Sequence, residues 1–233
     1  MSGAWRGRAL RRKCECEACA RCDGPSSHDD ETHDQRLTQA FPLRSVRATI
    51  HLHGGTTKCA RVLMDWFDKG DGRRVVDFVN RDVVEVGCGT GLVGLALALL
   101  GARSVVLTDQ EPVMDIVQSS IDGNVVDGTA TWVSAHPLYW GDDVPDALRG
   151  KDIIVGADLI FAHENIPLLL RTFSALCTDR SQTIVFAHIN RFAWEPGFFT
   201  GMASAGFRQE TVLVDGDVTI FRFTRCGGAP LLS

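Results

Sequence analysis

The stretch VVEVGCGTGLVGLALALLGARSVVLTDQE, Val83 to Glu111, decides the fold. Val83–Val86 is a β-branched run broken by glycine, and Gly91–Leu100 is continuously apolar, as a buried helix is, until Gly101 stops it. Ser104–Thr108 is β-branched again and opens toward Asp109. Strand, loop, helix and strand in so short a span form a βαβ unit, whose strands run parallel. Its loop holds two overlapping patterns: Gly87-Cys88-Gly89-Thr90-Gly91 reads GxGxG, and Gly89 through Gly94 reads GxGxxG. Glycine belongs there because a side chain would keep backbone N–H groups away from a ligand at the strand's carboxyl end.

The same alternation continues outward. Pro112 starts a helix running from Val113 to about Asn124, Thr129–Val133 reads as a short strand, and Asp152–Ala157 (DIIVGA) as a strand buried on both faces. A helix over Ile166–Cys177, a strand at Thr183–His188 and a helix over Glu195–Ala205 follow. Phe207–Val214 and Val218–Thr224 flank Asp215-Gly216, a hairpin signal. Upstream, Cys59–Phe67 is spaced as a helix face and Gly70-Asp71-Gly72 breaks it. The pattern predicts an α/β fold: a doubly wound, mostly parallel, seven-stranded Rossmann-like sheet with an antiparallel terminal hairpin and helices on both faces. Residues 1–43 are expected to be a disordered, cysteine-rich extension, 44–225 the folded domain and 226–233 a tail.

With 233 residues and a net charge of −5, the chain has room for one well-cored domain and no chain-wide electrostatic grip on nucleic acid. No apolar run spans a bilayer, and the N-terminus lacks the apolar segment of a secretory signal, so no membrane partner is expected. Cys59, Cys88, Cys177 and Cys226 are scattered as in a reduced protein; a cytoplasmic location is expected, with the nucleus also open. Cys14, Cys16, Cys19 and Cys22 form CxCxxCxxC, enough thiolates for zinc but tighter than paired CxxC knuckles. No metal is assigned to them.

The acids discriminate between cofactors. Asp109, ending its strand, suits the ribose hydroxyls of either a dinucleotide or an adenosyl ligand. Glu85, two residues before the glycines, would repel a phosphate but suits the ammonium end of S-adenosyl-L-methionine; the plainer alternative is that it satisfies loop amides.

With these features the stretch resembles the first two motifs of class I, seven-β-strand S-adenosylmethionine-dependent methyltransferases, and more narrowly the methyltransferase-like protein-lysine methyltransferases. HPLYWGDD (His136–Asp143), VGADLIF (Val155–Phe161) and HINRFAWEPGFF (His188–Phe199) extend the likeness, which covers approximately Thr49 to Thr224. The resemblance implies a cofactor site of Glu85, Gly87, Cys88, Gly89, Gly91, Asp109, Gln110, Trp140 and Ala157, with Trp140 against the adenine. It implies that Asp158 and Phe161 form the catalytic mouth of a channel for a lysine of a protein substrate. His188, Asn190 and Arg191 stand where they can line that pocket, without assigned roles. Lys58 stands where the family commonly has tryptophan, and Tyr139 where an acid usually precedes Trp-Gly. Other readings are methylation of a small-molecule amine, a non-catalytic scaffold motivated by Lys58 and, weakest, an NAD-dependent oxidoreductase. A monomer is expected.

Overall fold

The computed structural model describes residues 38–124 and 131–226. Seven strands build the main sheet: β3 (Asp82–Val86), β4 (Ser104–Asp109), β5 (Trp132–Pro137), β6 (Ile153–Ala157), β7 (Thr183–Ile189), β8 (Phe207–Asp215) and β9 (Val218–Arg225). Their order is β5-β4-β3-β6-β7-β9-β8, parallel from β5 to β7, with β9 antiparallel to both β7 and β8. The predicted fold class therefore holds, including the antiparallel end at Asp215-Gly216.

Side chains alternate across each strand, and the sheet sorts them into two apolar layers. Val83, Val105, Leu107, Val155, Val185, Ala187, Val218 and Ile220 pack with the helices Lys58–Asp68, Leu92–Leu99 and Met114–Asn124. Val84, Val86, Ile154, Ile184, Phe186 and Phe223 pack with Asn165–Leu176 and Pro196–Ser204. The helix Leu92–Leu99 is apolar all round because it is buried all round.

Four expectations are corrected. A two-stranded sheet, β1 (Thr38–Leu43) with β2 (Ala48–His53), precedes the first helix, so the boundary expected at residue 43 falls inside folded structure. Its inward residues Phe41, Leu43, Ile50 and Leu52 belong to the first apolar layer. Two side chains secure the hairpin. Asp68 accepts hydrogen bonds from Arg44 N, Ser45 N and Ser45 Oγ, and Asn124 bonds both the N–H and the C=O of His51. Second, the break at Gly70 holds, but Asp71 and Gly72 already belong to a further short helix, Asp71–Val75. Third, Pro112 opens a 3₁₀ turn, Glu111–Val113, and the α-helix starts at Met114. Fourth, the strand expected at 129–133 runs instead over Trp132–Pro137 (125–130 lie outside the described residues), and being an edge strand it tolerates Pro137. The cysteine cluster at 14–22 also lies outside the described residues.

Gly94 explains the tight seat of the helix Leu92–Leu99. A Cβ there would overlap Leu107 and lie 3.0 Å from Val105 Cγ1 and 2.8 Å from Glu85 Oε2. Gly94→Ala is expected to destabilise the protein by ~1–3 kcal/mol through overpacking, read as a lower urea midpoint at unchanged slope. An unchanged midpoint would show that helix and sheet part without cost.

Candidate active site

The carboxyl ends of β3, β4, β6 and β7 converge at the point where the strand order reverses, the place open α/β sheets bind ligands. The glycine loop leaves β3 there. Gly87, Gly89 and Gly91 have φ of +61°, +55° and +82°, the left-handed region that other residues rarely adopt. At Gly87 a Cβ would lie 2.6 Å from Leu159 and 3.0 Å from the Trp140 indole, whereas at Gly89 it would meet open space. Gly91 caps the following helix, and its Cβ would face Leu107.

A pocket beside the loop is lined by Glu85, Gly87, Cys88, Gly89, Thr90 and Ala157 on one side and by Gly55, Thr56, Thr57 and Ala60 on the other. Of the expected cofactor residues, Glu85, Gly87, Cys88, Gly89 and Ala157 thus share one wall. Asp109 braces the loop from behind: Oδ2 accepts from Gly89 N at 2.8 Å and Oδ1 from Gln110 N at 2.8 Å. Both oxygens keep further lone pairs. The opposite wall was missed in the sequence. Its readable signal is Thr57, a threonine just before a helical run, whose Oγ1 caps the helix by accepting from Ala60 N at 3.1 Å.

Glu85 is 2 % exposed, and its Oε2 accepts from Gly94 N at 2.7 Å. It therefore serves a helix amide and also faces the pocket. Burial pushes its carboxyl up to about 8, with the nearby Asp109 charge acting in the same direction. Burial likewise pushes the Cys88 thiol well up, so it stays neutral and contributes its backbone. The cradle suits an adenosyl ligand with an ammonium end: open backbone at Gly89, an indole at its rim and a buried acid at its base.

Past β6 the chain turns sharply at Asp158, a non-glycine residue with φ of +64° whose N–H bonds the carbonyl of Ala187 at 2.9 Å. Its carboxylate is gripped by the Arg191 guanidinium at 2.6 and 2.9 Å, a two-pronged contact. Phe161 is 59 % exposed with its ring 5.7 Å from that of Trp140. The structure thus pairs Trp140 with Phe161 and Asp158 with Arg191. His188, to which the sequence assigned no role, is buried against Glu195 at 3.2 Å. Lys58 turns toward the β8–β9 hairpin and pairs with Asp217.

The sheet order, with β9 antiparallel between β7 and β8, is that of the class I S-adenosyl-L-methionine-dependent methyltransferase fold. The fold is similar to that of magnesium protoporphyrin IX methyltransferase from Synechocystis PCC 6803, solved with bound SAH (TM-score 0.55, 16 % identity, 74 % of this chain and 89 % of that one). A family model described as lysine methyltransferase matches residues 56–205, and the chain belongs to that family. Among curated relatives, EEF1A lysine methyltransferase 3 of Xenopus tropicalis is 30 % identical over 203 residues, 84 % of this chain and 88 % of the relative. Protein N-lysine methyltransferase METTL21A of Danio rerio is 32 % identical over 193 residues, 82 % and 83 % of the two chains. The protein is an S-adenosyl-L-methionine-dependent protein-lysine methyltransferase. Among the described residues no helix is long and apolar enough to cross a membrane.

Proposed function

We propose that the acceptor lysine enters between Asp158 and Phe161 and meets a cofactor held along the loop from Glu85 to Gly89, with Trp140 against its adenine and Asp109 toward its ribose. S-adenosyl-L-methionine supplies a methyl group bound to a sulfonium, open to attack from the side opposite sulfur. The chain's own part is positioning. Glu85 offers a buried acid to the ammonium end, and Phe161 packs on the lysine stem. Asp158 accepts from the amine. The observation that carries this reading is the backbone turn at Asp158. That turn directly follows Ala157, a residue of the pocket wall, so the Asp158 carboxylate stands beside the proposed cofactor cradle.

EEF1A is the first acceptor to test, because the Xenopus tropicalis relative carries it in its name. Incubating the enzyme with labelled cofactor and recombinant EEF1A is expected to give methyl-lysine, located by peptide mass spectrometry. Label appearing only on small amines from a cell extract would overturn the protein-lysine acceptor in favour of a small-molecule one.

A further inference from the structure

Arg191 is the cation paired with Asp158 at the proposed acceptor position, and its placement is fixed from two directions. Its guanidinium holds both oxygens of Asp158, whose side chain is 12 % exposed. Its backbone N–H donates to Glu195 Oε2 at 2.7 Å. Glu195 is itself fully buried and shares that oxygen with His188 Nε2. Arg191 is thus a partly exposed side chain, 37 % exposed, anchored at both its backbone and its guanidinium.

Of the other groups near this point, Glu195 adds a negative charge from below Arg191, but it is fully buried and out of reach of an acceptor at the mouth. Cys59, on the helix Lys58–Asp68, lies against Asp158; burial, then the Asp158 charge, push its thiol up to about 12, so it remains neutral. Lys58 and Asp217 pair with each other. Burial pushes His188 down, which keeps it neutral beside Glu195. Asp158 is thus neutralised by Arg191 before any acceptor arrives. A lysine ammonium would meet in Asp158 a carboxylate already paired and would stand beside a guanidinium, an arrangement that disfavours its charged form. A neutral amine meets no such penalty. A carboxylate offers about four acceptor sites, and the guanidinium takes two.

We propose that Arg191 is a positioning residue that makes the acceptor lysine dock as the neutral amine, with Glu195 holding Arg191 in register. This rests on the placement of the acceptor at Asp158 proposed above. The neutral amine is the form that reacts: its lone pair makes the N–C bond as the S–C bond breaks, the bonding pair stays on sulfur, and the methylammonium product gives a proton to solvent.

The test uses n-butylamine, a lysine side chain without its backbone, titrated into the full-length enzyme saturated with S-adenosylhomocysteine and followed by intrinsic tryptophan fluorescence from pH 7 to 10. For the wild type, affinity should rise about tenfold per pH unit as the neutral fraction grows. Arg191→Gln should flatten that slope and bind the amine about tenfold or more tightly at pH 7, because Asp158 then offers a free charge. Arg191→Lys, which keeps the charge and loses the fork, should retain the slope. All variants are first required to bind S-adenosylhomocysteine as the wild type does. A flat wild-type profile, an undiminished slope in Arg191→Gln or no saturable wild-type binding would each overturn the inference. Asp158→Asn separates the two readings. If it binds the amine with wild-type affinity and slope, the acceptor site is elsewhere and the earlier reading fails. If it loses binding while Arg191→Gln keeps the slope, only the role of Arg191 fails.

Discussion

Asp158→Asn should lower kcat by about 100-fold or more while leaving cofactor affinity within about threefold. Asparagine is the informative replacement because it tolerates the left-handed backbone at φ of +64° and nearly matches aspartate in shape. What it removes is the charge that pairs with Arg191. The amine is left with a single neutral amide oxygen as acceptor, an NH2 donor faces the site in place of the second oxygen, and the guanidinium is left uncompensated at the mouth. Asp158→Ala removes the same group but adds backbone strain, so its loss is expected to be at least as large and accompanied by a lower melting temperature. Single-turnover kinetics with calorimetric cofactor binding separate the effects. Turnover within about threefold of wild type in the asparagine variant would remove Asp158 from the reaction.

The second large effect concerns Glu85 and pH. Burial raises its carboxyl from the ordinary 4.5 to about 8, so the folded protein holds this proton more tightly than the unfolded chain. The sign follows from linkage. Between about 4.5 and 8 the native state binds more protons than the unfolded state, so this group costs stability as pH rises through that window and nothing further above it. Cofactor-free wild type is therefore expected to lose several kcal/mol relative to Glu85→Gln between pH 5 and pH 8.5, measured as the change in their melting difference. A cofactor's ammonium favours the ionised carboxylate, so the wild-type affinity should climb toward pH 8. Glu85→Gln should bind about 10- to 100-fold more weakly at that pH, with no such climb beyond that of the ligand itself. Equal affinities at pH 8 would show that Glu85 serves only the Gly94 amide.

The parts of the fold that were legible in the sequence are those where local pattern and burial agree. β3, β4, β6 and β7 are covered on both faces, so they read as plain apolar runs, and Asp215-Gly216 marks its hairpin without help. β5 is a half-buried edge strand and its start was misplaced. The β1–β2 hairpin escaped because only Phe41, Leu43, Ile50 and Leu52 turn inward, interrupted by Pro42 and the histidines, and its hold on the body comes from the distant Asp68 and Asn124. At the site, Glu85 stood out as a charge within an apolar strand, and Trp140 and Asp158 came from the family likeness. The grip of Arg191 on Asp158 was not legible. It joins the ends of two strands 33 residues apart, and nothing in either segment says that one turn closes on the other.

The place of β9 has a consequence for when the enzyme comes into being on the ribosome. This strand lies between β7 and β8, so the flank of β7 is closed only by residues 218–225. Lys58 waits for Asp217 across 159 residues, and the carbonyl of Val75 waits for Arg222 across 147. A nascent chain that already carries the glycine loop still presents an open strand edge, the kind that recruits other chains. The turn bearing Arg191 and Glu195 leaves that same strand, so the acceptor mouth is finished late in synthesis, well after the cradle for the cofactor.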